Sequence, residues 1–360
     1  MIMGCDFCSP NNTSLDDSSI IREVDKGDMF SLALRMPEDI EQALAEFEGR
    51  TFSRFNPANI VVCGMGGSAI GGDLAYSLLR EDLPVPLSVV RDYNLPSFVS
   101  RNTLFYAISY SGNTEETISA YKEAKARGAR RVVLSSGGKL KEIVDEDVFI
   151  PLPPGLPPRS ALPFIFVPLV RSLESIGVVK KRNDWKEAIS LLRELRESFS
   201  PLTPTQDNRA KQLAYSLRGK LPLIYASSPL LYGVAFRWKT QINENAKAHA
   251  YVDYFSELHH NEIMAWESKE KVANFAVVIL RDKGENDRIK ERIEITKELL
   301  ADKTEIYEVW TKGEGKLARL LSVLYLGDFL SLYLAVLYGV DPQEIDSINY
   351  IKKKLGPIPN

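Results

Sequence analysis

Residues 59–72 read NIVVCGMGGSAIGG, and the meaning of this stretch decides the fold. Asn59–Cys63 is a short run of β-branched and apolar residues, the composition of a strand buried on both faces of a parallel sheet. Gly64, Gly66 and Gly67 follow, then Ser68, and from Ala69 the pattern turns helical. A strand that enters a glycine-rich turn and then a helix offers an anion unpaired N–H groups and the positive end of a helix dipole. Ser68 adds a hydroxyl, so the stretch reads as a phosphate cradle. Taken alone it is equally compatible with the G-x-G-x-x-A dinucleotide fingerprint, with Asp92 beyond the next apolar run as its acid. A tight turn without a ligand is the third reading.

Toward the C-terminus, Leu87–Val90, Thr103–Ile108 and Arg131–Ser135 read as strands, and Glu115–Ala126 as a helix closed by Gly128. Strands alternating with helices predict a parallel, doubly wound, flavodoxin-like sheet. Pro151, Pro153, Pro154, Pro157, Pro158 and Pro163 then form a stiff loop leaving that sheet. Helices are expected over 161–176 and 184–199, and Pro201 and Pro204 mark a boundary. Beyond it the alternation restarts, with strands at Leu221–Tyr225, Ala273–Leu280 and Glu305–Trp310. Helices at 206–217, 230–245, 286–300, 315–338 and 345–355 separate and close them. Toward the N-terminus, Met29–Phe47 has helical spacing interrupted at Pro37. The expected organisation is a poorly ordered extension over 1–26, one α/β domain over 27–200 and a second over 201–360.

A length of 360 residues suits two domains. A net charge of −3 gives no reason to expect nucleic acid or an anionic membrane surface. Cys5 and Cys8 form a C-x-x-C without the second pair that a zinc ribbon needs, and three cysteines are too few for a disulfide scaffold. The first twenty residues lack the apolar core of a secretory signal. Leu317–Tyr338 is strongly apolar but carries Arg319 and Asp328, so it reads as a buried helix and not a membrane span. The default expectation is a cytoplasmic location. No set of His, Cys, Asp and Glu stands at metal-ligand spacing, and no cofactor is expected.

A second constellation decides the meaning of the first. Ser109–Thr117 reads SYSGNTEET, where a strand meets a helix. In open parallel sheets ligands gather at the carboxyl ends of strands. Hydroxyls and helix-start N–H groups together suit a phosphate. Asn113 or Thr114 could simply cap the helix, but four hydroxyl or amide side chains in Ser109–Thr114 exceed what one cap needs. A dinucleotide explains the first loop and leaves the second without a role.

GMGGSAIGGD and SYSGNTEET together resemble the sugar isomerase (SIS) domain family. PPRSAL at 157–162, RWKTQINENAK at 237–247, ELHHNEIMAWE at 257–267 and GDFLSLYLAVLYGVDP at 327–342 are similar to the archaeal-type bifunctional phosphoglucose/phosphomannose isomerases. The resemblance runs from about residue 25 to the end. It implies two SIS domains, each a parallel sheet flanked by helices, commonly a homodimer. It also implies isomerisation of glucose 6-phosphate, and of mannose 6-phosphate, to fructose 6-phosphate through a metal-free cis-enediolate.

The roles come with the resemblance. Ser109, Ser111 and Thr114 would hold the phosphate, with Gly66, Gly67 and Ser68 lining the adjoining cradle. Glu244 would carry a proton between C2 and C1, and Arg159 would stabilise the enediolate. His260 would open the ring, entering from the partner subunit; the family's sixteen-residue spacing from Glu244 falls on His260, with His259 adjacent to it as the alternative. Lys352, within Lys352–Lys354, would assist ring opening. By residue type alone these four would be a solvated helix-end charge, a loop arginine, a surface or core histidine and a solvated helix face. One departure stands out. After Asp341-Pro342 the family pattern has a threonine near C2, and here the residue is Gln343, which implies weaker handling of the mannose epimer. Two alternatives remain open: another SIS-fold phosphosugar isomerase, or a non-catalytic phosphosugar-binding SIS protein. A regulator would need a DNA-binding domain and a hexosamine synthase a glutaminase domain, and neither is visible.

Overall fold

The computed structural model describes residues 14–145, 148–270 and 273–356, so Cys5 and Cys8 lie outside the described residues. Three helices lead in: α1 (Ser18–Val24), α2 (Met29–Leu34) and α3 (Met36–Phe47). The first sheet region follows, with β1 (Asn59–Cys63), α4 (Gly67–Leu79), β2 (Leu87–Val90), β3 (Thr103–Ile108), α5 (Glu115–Ala126), β4 (Arg130–Ser135), α6 (Gly138–Ile143) and β5 (Val148–Pro151). Helices α7 (Leu162–Ile176), α8 (Trp185–Phe199) and α9 (Arg209–Leu217) lead to the second sheet region. It comprises β6 (Leu221–Ala226), α10 (Tyr232–Ala246), β7 (Tyr251–Tyr254), α11 (Phe255–Leu258), β8 (Phe275–Arg281), α12 (Asp287–Leu300) and β9 (Glu305–Trp310). Helices α13 (Lys316–Tyr338) and α14 (Asp346–Leu355) close the described chain.

Both sheets are parallel, in the orders β2-β1-β3-β4-β5 and β7-β6-β8-β9. The two orders match strand for strand over four strands. In each, the direction of winding reverses beside the first strand, between β1 and β3 or between β6 and β8. That reversal opens a crevice at the strand ends.

Alternation along each strand explains the layers. Ile60 and Val62 face one continuous apolar core that also takes Ile224 and Val278 from the second sheet. Val61 and Cys63 face an outer cluster with Phe105 and Tyr121, while Tyr225 and Val277 face another with Phe255. Helix α13 runs through the shared core. Among the described residues it is the one helix long and apolar enough to cross a membrane, and its apolar window is entirely buried in protein. Each fully buried Leu or Phe side chain on it contributes about 1.5–3 kcal/mol.

Three features depart from the sequence expectation. Residues 14–25, expected to be poorly ordered, are packed. Leu15 is fully buried, Ile21 enters the core, and Asp16 reaches the buried Lys211 ammonium at 2.9 Å. A polar average over the segment hides two apolar anchors and one charge partner. Strand β5 is concealed by proline density; Pro151 is tolerated because β5 is an edge strand, where an N–H is not required. Strand β7, also an edge, is too short to show a period.

Candidate active site

The two loops singled out in the sequence meet at the crevice between β1 and β3. Gly66 caps α4 with φ +52°, and a Cβ on Gly67 would lie 2.9 Å from the Pro158 carbonyl oxygen and 3.1 Å from Arg159 Cα. Gly67 therefore lets the proline-rich loop 153–161 lie directly on the cradle. Ser68 is buried, and its Oγ accepts the Tyr110 N–H at 3.2 Å, tying the first loop to the second.

In the second loop, Ser109 Oγ and Thr114 Oγ1 bond each other at 2.8 Å, and Ser111 Oγ accepts the Asn113 N–H at 3.2 Å. Thr114 stands at the N-cap of α5, yet its side chain makes no capping bond to the helix. Asn113 Oδ1 instead accepts the Lys139 N–H at 3.0 Å. The capping explanation for these residues therefore does not describe their side chains. The N–H groups of the first turn of α5 are left without a side-chain cap, beside three hydroxyls.

Arg159 joins this cradle to the second half of the chain. It is buried, and its guanidinium is held from two segments, the end of α10 and residues 342–343. Nε donates to Asn245 Oδ1 at 2.7 Å, Nη1 to Glu244 Oε2 at 3.4 Å, and Nη2 to the Pro342 and Gln343 carbonyls at 2.5 and 3.4 Å. Burial pulls the guanidinium below its ordinary value, and the Glu244 carboxylate opposes this. Glu244, in the last turn of α10, keeps part of its carboxylate exposed. It lines an open cleft of roughly 1870 Å³ together with Lys247, Asp341, Glu344 and Ile348.

Three residues that the sequence reading left without a role support this arrangement. Lys247 ends α10 in a left-handed turn and donates from Nζ to the Glu244 carbonyl (2.8 Å) and the Asp341 carbonyl (2.7 Å). Below them Arg237 and Asp328 form a buried bidentate pair at 2.9 and 2.8 Å, and Arg237 also donates to the Arg159 carbonyl at 3.2 Å. Burial raises the Asp328 carboxyl, and Arg237 counters it. The signal was present, since Arg237, Lys247 and Asp328 all fall within the quoted motif runs. Single residues there do not reveal who meets whom.

Gln343 meets Arg159 through its carbonyl, while its side chain packs against Gly27; a Cβ on Gly27 would come within 2.1 Å of Gln343 Oε1. His260 and Lys352 are exposed, and neither side chain bonds to Arg159, Glu244 or the two loops among the described residues. The adjacent His259 is turned inward, with Nε2 2.6 Å from Thr296 Oγ1 and Nδ1 3.0 Å from Arg292 Nη1.

A doubly wound sheet, repeated once, with hydroxyl-bearing loops at the switch point defines a tandem SIS fold of the phosphosugar-isomerase class. Residues 206–355 match the family described as bacterial phospho-glucose isomerase C-terminal SIS domain. A glucose-6-phosphate isomerase like protein from Thermus thermophilus has the same fold, with a TM-score of 0.61 at 21% identity, over 94% of this chain and 99% of that one. A bifunctional phosphoglucose/phosphomannose isomerase of Caldicellulosiruptor bescii is 41% identical, over 92% of this chain and 99% of its own. One from Aquifex aeolicus is 39% identical, over 88% and 93%. The chain belongs to the bifunctional phosphoglucose/phosphomannose isomerase family.

Proposed function

We propose that this protein interconverts glucose 6-phosphate, and mannose 6-phosphate, with fructose 6-phosphate through a cis-enediolate. The observation that carries the reading is the Glu244–Arg159 pair: the guanidinium reaches the partly exposed Glu244 carboxylate, and the Arg159 backbone lies against Gly67 of the cradle. Ser109, Ser111 and Thr114, with the first N–H groups of α5, receive the phosphate; Gly66, Gly67 and Ser68 shape the neighbouring wall. Glu244 takes the C2 proton and returns it to C1. Arg159 faces the oxygen on which negative charge develops. His260 opens the ring from the partner subunit of a homodimer, which is why it stands exposed in a single chain, and Lys352 assists on α14. The Gln343 side chain is turned toward Gly27, so it does not by itself bar the mannose epimer.

The test is a coupled assay of fructose 6-phosphate formation from each aldose phosphate, with and without a chelator. Chelator-resistant turnover of both is expected, and Glu244→Gln is expected to lower kcat by about 10²–10⁴. Turnover of glucose 6-phosphate alone would withdraw the mannose activity. No turnover of either would favour a phosphosugar-binding protein or an isomerase of another sugar.

A further inference from the structure

His260 stands in the turn between α11 and residue 262, and the residues on either side of it are fastened inward. On one side, Thr296 Oγ1 already donates to the Arg292 carbonyl at 2.8 Å. The His259 Nε2–H must therefore donate to Thr296 Oγ1, leaving Nδ1 to accept from Arg292. That pattern fixes His259 as one neutral tautomer. Burial, with the charge of Arg292 beside it, also holds its pKa below the ordinary value. His259 is thus bound to α12 through both ring nitrogens.

On the other side, the hydroxyl of Tyr225 donates to the Glu262 carboxylate. Tyr225 is buried on β6 and stands in register with Asp253 on β7. Asn261 adds two bonds within the turn: its Nδ2 donates to Glu257 Oε1 at 2.6 Å, and its Oδ1 accepts the Glu262 N–H at 2.5 Å. Burial raises the Glu262 carboxyl and Asp253 adds to this, with Tyr225 opposing. Between the two fastenings His260 is exposed, and its imidazole has no hydrogen-bond partner among the described residues.

The geometry points to His259 and Glu262 as positioning residues that hold the turn so that His260 projects outward in one orientation. The inference rests on the proposed ring-opening role of His260. Fixing the turn on a sheet and a helix removes backbone freedom that would otherwise be lost when the imidazole meets the sugar. Glu262 and Tyr225 do not themselves touch substrate.

Glu262→Ala, Tyr225→Phe and Glu262→Gln decide the matter, each made in the parent and in a His260→Ala background, with thermal unfolding followed in parallel. In the parent, Glu262→Ala and Tyr225→Phe are expected to lower kcat for glucose 6-phosphate about 10-fold or more, with KM within about twofold. Glu262→Gln keeps an acceptor for Tyr225 and is expected to stay within about threefold of the parent. On top of His260→Ala, none is expected to cost more. A further loss in that background, or unchanged kcat for Tyr225→Phe in the parent, would overturn the inference. Should Glu262→Ala fail to fold, Tyr225→Phe removes the same bond and carries the test. If His260→Ala itself keeps full turnover, the ring-opening role fails, and any kcat loss in Glu262→Ala then needs another cause.

Discussion

At the scale of single residues, Arg159 does what no other side chain here could do. Its flat fork reaches an amide oxygen, a carboxylate and a backbone carbonyl at once, from two distant segments of chain. An ammonium at the end of a lysine stem cannot reproduce that geometry. Arg159→Lys is therefore expected to lower kcat by about 10²–10³ while KM changes far less. Steady-state kinetics beside a circular dichroism spectrum check this, and a loss confined to KM would reassign Arg159 to substrate binding. The sequence marked Arg159 only through the PPRSAL run. Its chemistry depends on Asn245 and Pro342, which lie 86 and 183 residues away.

At the scale of elements, the strand–loop–helix units are legible in the sequence, edge strands β2 and β9 included, while the edge strands β5 and β7 are not. Strands β1, β3 and β4 are central in their sheet, so both faces are apolar and the run announces itself. Helix α1 and the residues before it escape a reading by composition because their stability is tertiary. Lys211 Nζ lies fully buried, bonded to Asp16 and to the carbonyls of Pro201 and Thr203 at 2.8 Å each. Burial raises the Asp16 carboxyl, but bonds from Lys211 and Thr205 outweigh it and hold it below its usual range. A depressed carboxyl stabilises the fold fully above its unfolded value of about 3.9, and the gain fades as pH falls through the folded value. Asp16 is half-exposed, so solvent screening limits the cost of Asp16→Asn to about 1 kcal/mol at neutral pH. Urea unfolding across pH checks this: the gap between variant and parent should shrink below about pH 4. A gap that stays constant to about pH 3 would mean that the Asp16 charge is not its source.

At the scale of the whole molecule, a single chain brings the cradle, Arg159 and Glu244 together and leaves His260 and Lys352 outside. Helix α14 has no buried residue, and Ile348, Tyr350, Ile351 and Leu355 all stand exposed on it. A homodimer that supplies His260 in trans makes a sharp prediction. Glu244→Gln and His260→Ala should each be nearly inactive, yet refolding them together should recover activity. In a random mixture half the dimers are mixed, and each holds one intact site of two, so recovery should approach about one quarter of the parent's specific activity. Mixtures as inactive as their components would confine each site to one chain.

By itself the sequence determined the parallel strands other than β5 and β7, the glycine and serine turns after β1 and β3, and the burial of α13. Each is set by neighbours within a few residues, through strand alternation, turn chemistry or an unbroken apolar run. Only the tertiary structure decided that Arg159 closes on the end of α10 and on Pro342, that Arg237 and Asp328 lie beneath it, and that residues 14–25 are packed. Those outcomes rest on single hydrogen bonds and buried charges between segments far apart in the chain. Such contacts leave no periodic trace in the residues that make them.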